Sequence, residues 1–224
     1  MPNHSSRLLV LSVLLALGLV LGACSGDDGD ADVVEPAPTT SSTVANDPEL
    51  TDLLVAADQL PGTFVPVEEV GDTVPTFCVG QDPTAGLRAS ARAVAGYARQ
   101  PAGVSVLQLL FRFEDDGAAA FVEQAGAVID ACNEVPDLNG LAFTYRDAPA
   151  AATAALAGLD AAVTADGVSV GSGALRSIVG VFHRGDLGGM VAVLAAGDSG
   201  PDAEAAAVAA FTAASGGSTS ISRK

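Results

Sequence analysis

At 224 residues, with 10 basic and 27 acidic side chains, the chain carries a formal net charge of −17. Nearly half of it is apolar, enough for one domain core, but aromatics are 4 % and tryptophan is absent, so that core must be built from Ala, Val and Leu. Lysine occurs only at Lys224 and the arginines are scattered, which argues against nucleic acid as a partner, and the scarcity of Tyr and Trp argues against an aromatic carbohydrate-binding face.

The chain opens with a short polar segment carrying Arg7, then an apolar run over 8–21 that closes in Leu21-Gly22-Ala23-Cys24. A positive start, a short apolar stretch and small residues at the cut site make a secretory signal. The run falls short of the roughly 20 residues that span a bilayer. Its ending resembles the lipobox of bacterial lipoproteins. That resemblance implies removal of residues 1–23 and a diacylglyceryl group on the sulfur of Cys24, which becomes the new N-terminus. One acyl chain binds a membrane marginally, whereas two anchor it stably. The expected location is therefore the extracytoplasmic face of the cell membrane, held by lipid.

Residues 24–46 read as a tether. Asp27, Asp28, Asp30 and Asp32 are followed by Pro36, Pro38 and a Thr/Ser run, without apolar residues to bury. The acidic cluster lacks the bidentate Glu of a calcium loop. The folded domain is expected over 47–224. Asp47-Pro48 is a helix N-cap followed by Pro at the first helical position, and Leu50, Leu53, Leu54 and Ala57 continue at helical spacing until Pro61-Gly62. Residues 64–67 read as a short extended piece, and a loop then carries Cys78.

A strand–turn–strand–helix pattern follows twice. Residues 89–99 and 104–113 are predicted strands joined by a turn at 100–103. The second strand places Leu107, Leu109, Phe111 and Phe113 on one face and Gln108 and Arg112 on the other. Asp115-Asp116-Gly117 opens a helix whose apolar stripe is Ala118, Phe121, Val122, Ala125, Val128, Ile129 and Cys132. The second copy has strands at 175–184 and 189–195 and a helix at 201–214; residues 141–146 and 160–165 are expected to add strands between the units. The fold class is α+β, an antiparallel sheet with helices packed mainly on one face.

With Cys24 assigned to lipid, Cys78 and Cys132 remain, and an exported compartment permits them to pair. Such a bridge closes a loop of about 50 residues, which the chain-entropy account values at about 4 kcal/mol. The segment Leu-Leu-Val-Ala-Ala-Asp-Gln-Leu-Pro-Gly-Thr-Phe at 53–64, a cysteine, a hairpin and a helix ending in a second cysteine resemble actinobacterial sensor-domain lipoproteins, similar to the extracellular domain of PknH-type receptor kinases. The resemblance spans roughly 50–214 and implies an extracytoplasmic ligand-sensing module stapled by disulfide. Domains of that family often carry two bridges, and this chain has cysteines for one.

Catalytic patterns are poor. Gly167-Val168-Ser169-Val170-Gly171 matches a nucleophile elbow, but a Gly-rich connection and then a strand follow it, and no acid lies between Ser169 and His183, the one histidine after the signal. His183 alone cannot hold zinc. The acidic pairs Glu68/Glu69 and Asp115/Asp116 are sequence neighbours that diverge on strand or helix. No metal and no cofactor is expected. The candidate ligand site is the polar sheet face bearing Gln108 and Arg112, with Tyr97 or Tyr145 nearby, on the expectation that this face stays wet. The functional expectation is a non-enzymatic, lipid-anchored module that binds a small molecule or an envelope protein. The alternatives are a structural or accessory envelope lipoprotein without a ligand, and a serine hydrolase.

Overall fold

The computed structural model describes residues 46–68, 70, 81–101, 103–132, 142–170, 175–197 and 199–217. Seven strands form one antiparallel sheet: β1 (Phe64–Pro66), β2 (Ala89–Arg99), β3 (Val104–Phe113), β4 (Ala142–Arg146), β5 (Ala161–Val170), β6 (Leu175–Arg184) and β7 (Leu187–Ala196), in the order β1-β2-β3-β7-β6-β5-β4. The helices are α1 (Pro48–Thr51), α2 (Gly117–Cys132), α3 (Ala150–Ala155) and α4 (Gly200–Gly217), with a 3-10 turn at Ala57–Gln59. The α+β class and the antiparallel sheet stand as the sequence suggests.

Both strand–turn–strand–helix units form, and they meet at the centre, where β3 pairs with β7 (Leu109 opposite Met190, Gln108 opposite Val191). Their helices separate. Helix α4, with α1 and α3, covers the face of Val106, Leu110, Ile178, Phe182, Val191 and Val193. Helix α2 covers the opposite face, with Leu109, Phe111, Phe113, Val179, Val181, Met190 and Ala192. All seven residues of the α2 stripe read from the sequence are buried. Strand β7 is buried on both sides from Leu187 to Val193, and its near-continuous apolar sequence is the pattern that two-sided burial demands.

A core with few aromatics uses them over glycines. Phe113 and Phe121 lie 5.3 Å apart, each also near Phe111, and crowd the space above Gly188. On the other face a Cβ on Gly180 would sit 2.8 Å from the Phe211 ring. These strand glycines make room for rings that larger neighbours would exclude.

Three elements differ from expectation. The opening helix stops after one turn, with Leu53 and Leu54 only half-buried. Its Asp47 cap does hold, accepting from the Leu50 N–H at 3.1 Å. Val55 breaks the helix because sheet side chains take both of its backbone groups. Strand β5 runs to Val170, past the expected 165, and takes in Gly167, Val168 and Ser169 of the elbow-like motif. Helix α3 was not foreseen; its Ala-rich sequence favours helix without an apolar stripe to announce it.

Candidate functional site

The wet face does not exist at Gln108. That side chain is fully buried, because the segment from Leu50 to Leu60 crosses over it and α4 packs alongside. Gln108 Oε1 accepts from the Val55 N–H at 2.6 Å, and the Tyr97 hydroxyl donates to the Val55 carbonyl at 2.6 Å. The two residues thus form a clamp on one residue of the chain itself. Gln108 Nε2 is buried and finds no partner among the described residues. Arg112 lies on the same face, half-buried, with Glu49 of α1 at 3.5 Å and Asp186 at 3.6 Å. Tyr145 is on the other face, under α2, on the far side of the sheet from β2. Gln108, Arg112 and Tyr97 therefore tie the first segment of the domain to the sheet, and Tyr145 does not join them.

Ser169 sits inside β5, buried, and its hydroxyl accepts from the Leu175 N–H at 2.8 Å. It stands on no strand-to-helix elbow. His183 is half-buried near the end of β6, and its Nδ1 finds no partner among the described residues. Cys132 ends α2 on the buried side and takes part in a disulfide. Cys78, its expected partner, lies outside the described residues, as do Cys24, the tether up to residue 45 and Glu69. Among the described residues, no His, Cys, Asp and Glu groups gather as metal ligands do, and no helix is long and apolar enough to cross a membrane.

One charged cluster was not anticipated. Asp166 of β5 is almost wholly buried and accepts from Arg146 of β4 (Nε 3.1 Å, Nη2 2.9 Å) and Arg176 of β6 (Nε 2.9 Å, Nη2 3.0 Å). Arg176 also donates to the Gly200 carbonyl at the start of α4. The hydrogen bonds that Arg176 donates to Asp166 raise the pKa of its guanidinium above the usual value, against the cost of burial. Through these bonds the carboxylate ties two flanking strands and the start of a helix together. Alternation along β4, β5 and β6 puts the three residues on the α4 face, a placement legible only once the strands are paired.

Two cavities are lined by described residues. One, of about 460 Å³, lies between α3 and β5, lined by Asp147, small alanines, Thr153 and Thr164. Its two hydroxyls bond each other at 2.9 Å and are thereby committed. The other, of about 300 Å³, lies along the outer edge of β2. Val94 and Gly96 line it along the strand, Pro66, Val67 and Val70 are apolar walls, and Asn46 and Glu68 are its polar groups. Tyr97 borders it as well. Gly96 matters here: a Cβ would meet Val70 at 2.7 Å, so only glycine lets Val70 close down on the strand. At the same edge the Val67 N–H donates to the Gly96 carbonyl, and the Asp47 N–H to the Arg92 carbonyl. No family model matches the chain, and no curated protein shows significant similarity to it.

Proposed function

We propose that this chain is a lipid-anchored cell-envelope protein whose extracytoplasmic domain binds a small molecule, in the manner of a sensor and without catalysis. The observation that carries the reading is the cavity at the edge of β2. It combines apolar walls with two polar side chains, within the size range of small-molecule sites. The commitment of Ser169 and Asp166 to structural hydrogen bonds supports the non-enzymatic part. The signal-like start ending at Cys24 supports the anchor. A protein ligand is the second reading, favoured by the exposure of Val65 and Val67 on and beside the edge strand β1.

The test is native mass spectrometry of protein extracted gently from its own membranes. The expected spectrum shows the lipidated chain plus a second species heavier by one small molecule, and that adduct is lost in Val94→Phe, which fills the cavity. A spectrum holding only the lipidated chain would contradict the small-molecule reading. The anchor has its own test: Cys24→Ser is expected to leave the membrane fraction or to accumulate unprocessed. Processed, membrane-bound Cys24→Ser would place the anchor elsewhere.

A further inference from the structure

The polar wall of this cavity is an amide that stands where a ligand would. Residues 92, 94 and 96 of β2 present backbone groups to the open edge. The Arg92 and Gly96 carbonyls are taken by the chain's own N–H groups, from Asp47 at 2.7 Å and Val67 at 2.9 Å. At Val94 no backbone group among the described residues pairs with the strand, and the side chain of Asn46 takes that place. Its Oδ1 accepts from the Val94 N–H at 3.2 Å, and its Nδ2 donates to the Val94 carbonyl at 3.4 Å. Both distances are long for such bonds, and both bonds are exposed to water. A side-chain amide so held exchanges easily, and Val94 and Asn46 both line the cavity.

We propose that the Val94 edge is a recognition site for a neutral carboxamide or lactam group, whose apolar body occupies the cavity, and that Asn46 is its built-in stand-in. Val94 offers one donor and one acceptor side by side, and a neutral amide returns one of each. A carboxylate brings acceptors only, leaving the Val94 carbonyl opposed by a lone pair, with Glu68 adding repulsion. An ammonium or guanidinium brings donors only and leaves the Val94 N–H opposed. The carbonyls on either side of Val94 along this edge are already taken, so the group that fits is one amide rather than a strand. This inference rests on the cavity being a ligand site and names the chemistry that site reads.

The experiment uses two ring compounds of one size, valerolactam and cyclohexanone, titrated into the full chain in detergent while backbone amide resonances are followed. Asn46→Ala removes the competing side chain. Freeing two hydrogen-bonding groups is expected to tighten valerolactam about fivefold to tenfold, the scale of one net hydrogen bond, with the largest shift at Val94. Cyclohexanone, which lacks the donor and leaves the Val94 carbonyl unpaired, is expected to bind both proteins more weakly than valerolactam and to gain less from the substitution. Asn46→Ser is too short to reach both Val94 groups, so it is expected to tighten valerolactam too, and it serves if the alanine variant misfolds. Equal binding of lactam and ketone, or no gain in either variant, overturns the proposal. If both compounds shift Val67 and Gly96 but leave Val94 unmoved, the amide reading falls while the cavity reading stands. If neither compound moves any of the three, both fall.

Discussion

Gln108 and Tyr97 act on the same residue, one on its N–H and the other on its carbonyl. Removing either leaves a Val55 backbone group buried without a partner, which costs about 1–3 kcal/mol. Gln108→Leu and Tyr97→Phe are each expected to lower the urea midpoint by that scale. Because both act through Val55, the double variant is expected to lose less than the sum, a coupling readable in a double-mutant cycle. Additive losses would show that the two bonds are independent. Burial pushes the Tyr145 hydroxyl up to about 12 and raises that of Tyr97 as well. A phenol whose folded pKa lies above its unfolded value near 10 favours the folded state while protonated. Its contribution is complete below pH 10 and is lost as the pH climbs to about 12. Absorbance at 295 nm is therefore expected to show no phenolate from Tyr145 in the folded protein at pH 10, whereas half-ionisation there would mean its ring is open to water. Glutamine at 108 looked like a surface residue because β3 alternates. Alternation does not say that a loop 53 positions earlier lies across the polar side and spends the amide on its own backbone.

At the scale of elements, Asp166 joins β4, β5 and β6 to the start of α4 through Arg146 and Arg176. Asp166→Asn keeps the shape and removes the charge that the half-buried Arg176 depends on. Breaking one partner of such a pair costs about 3 kcal/mol or more, and thermal unfolding is expected to shift accordingly. A loss within about 0.5 kcal/mol would place the pair in the class of exposed bridges. The helix α2 was legible to the residue, because its stripe holds one strict period and one face. Strand β3 was legible for the same reason at period two, and β2 and β6 were placed by the turns that follow them at 100–103 and 185–188. The side on which each helix packs was not legible from the repeat alone. The signal lay instead in β7, whose Leu187 to Val193 run has no polar side to leave wet. The opening helix failed through tertiary competition, since its Leu periodicity is helical but Val55 finds better partners on the sheet.

For the whole molecule, the described domain begins in contact with the sheet at Asn46 and Asp47 rather than after them. A chain beginning at Asn46 is expected to melt within about 2 °C of one beginning at Ser25, since a tether without apolar residues adds little to a core. A chain beginning at Pro48 loses the Asp47 cap and edge bonds, worth about 1–2 kcal/mol, and is expected to melt roughly 2–6 °C lower. Equal melting of all three would mean that the edge contacts carry no weight. The candidate site was the least legible part of the sequence. Asn46, Val67, Val70, Val94 and Gly96 are scattered through the first hundred residues and carry no motif, and only the pairing of β1 with β2 brings them to one edge. The measurement that bears most directly on the account is a titration of the isotopically labelled full chain with a small-molecule extract of its own cell envelope, read at each backbone amide. Saturable shifts centred on Val67, Val94 and Gly96 are predicted. Shifts centred instead on Thr153 and Thr164 at the opposite side of the sheet, or no saturable shift anywhere, would contradict it.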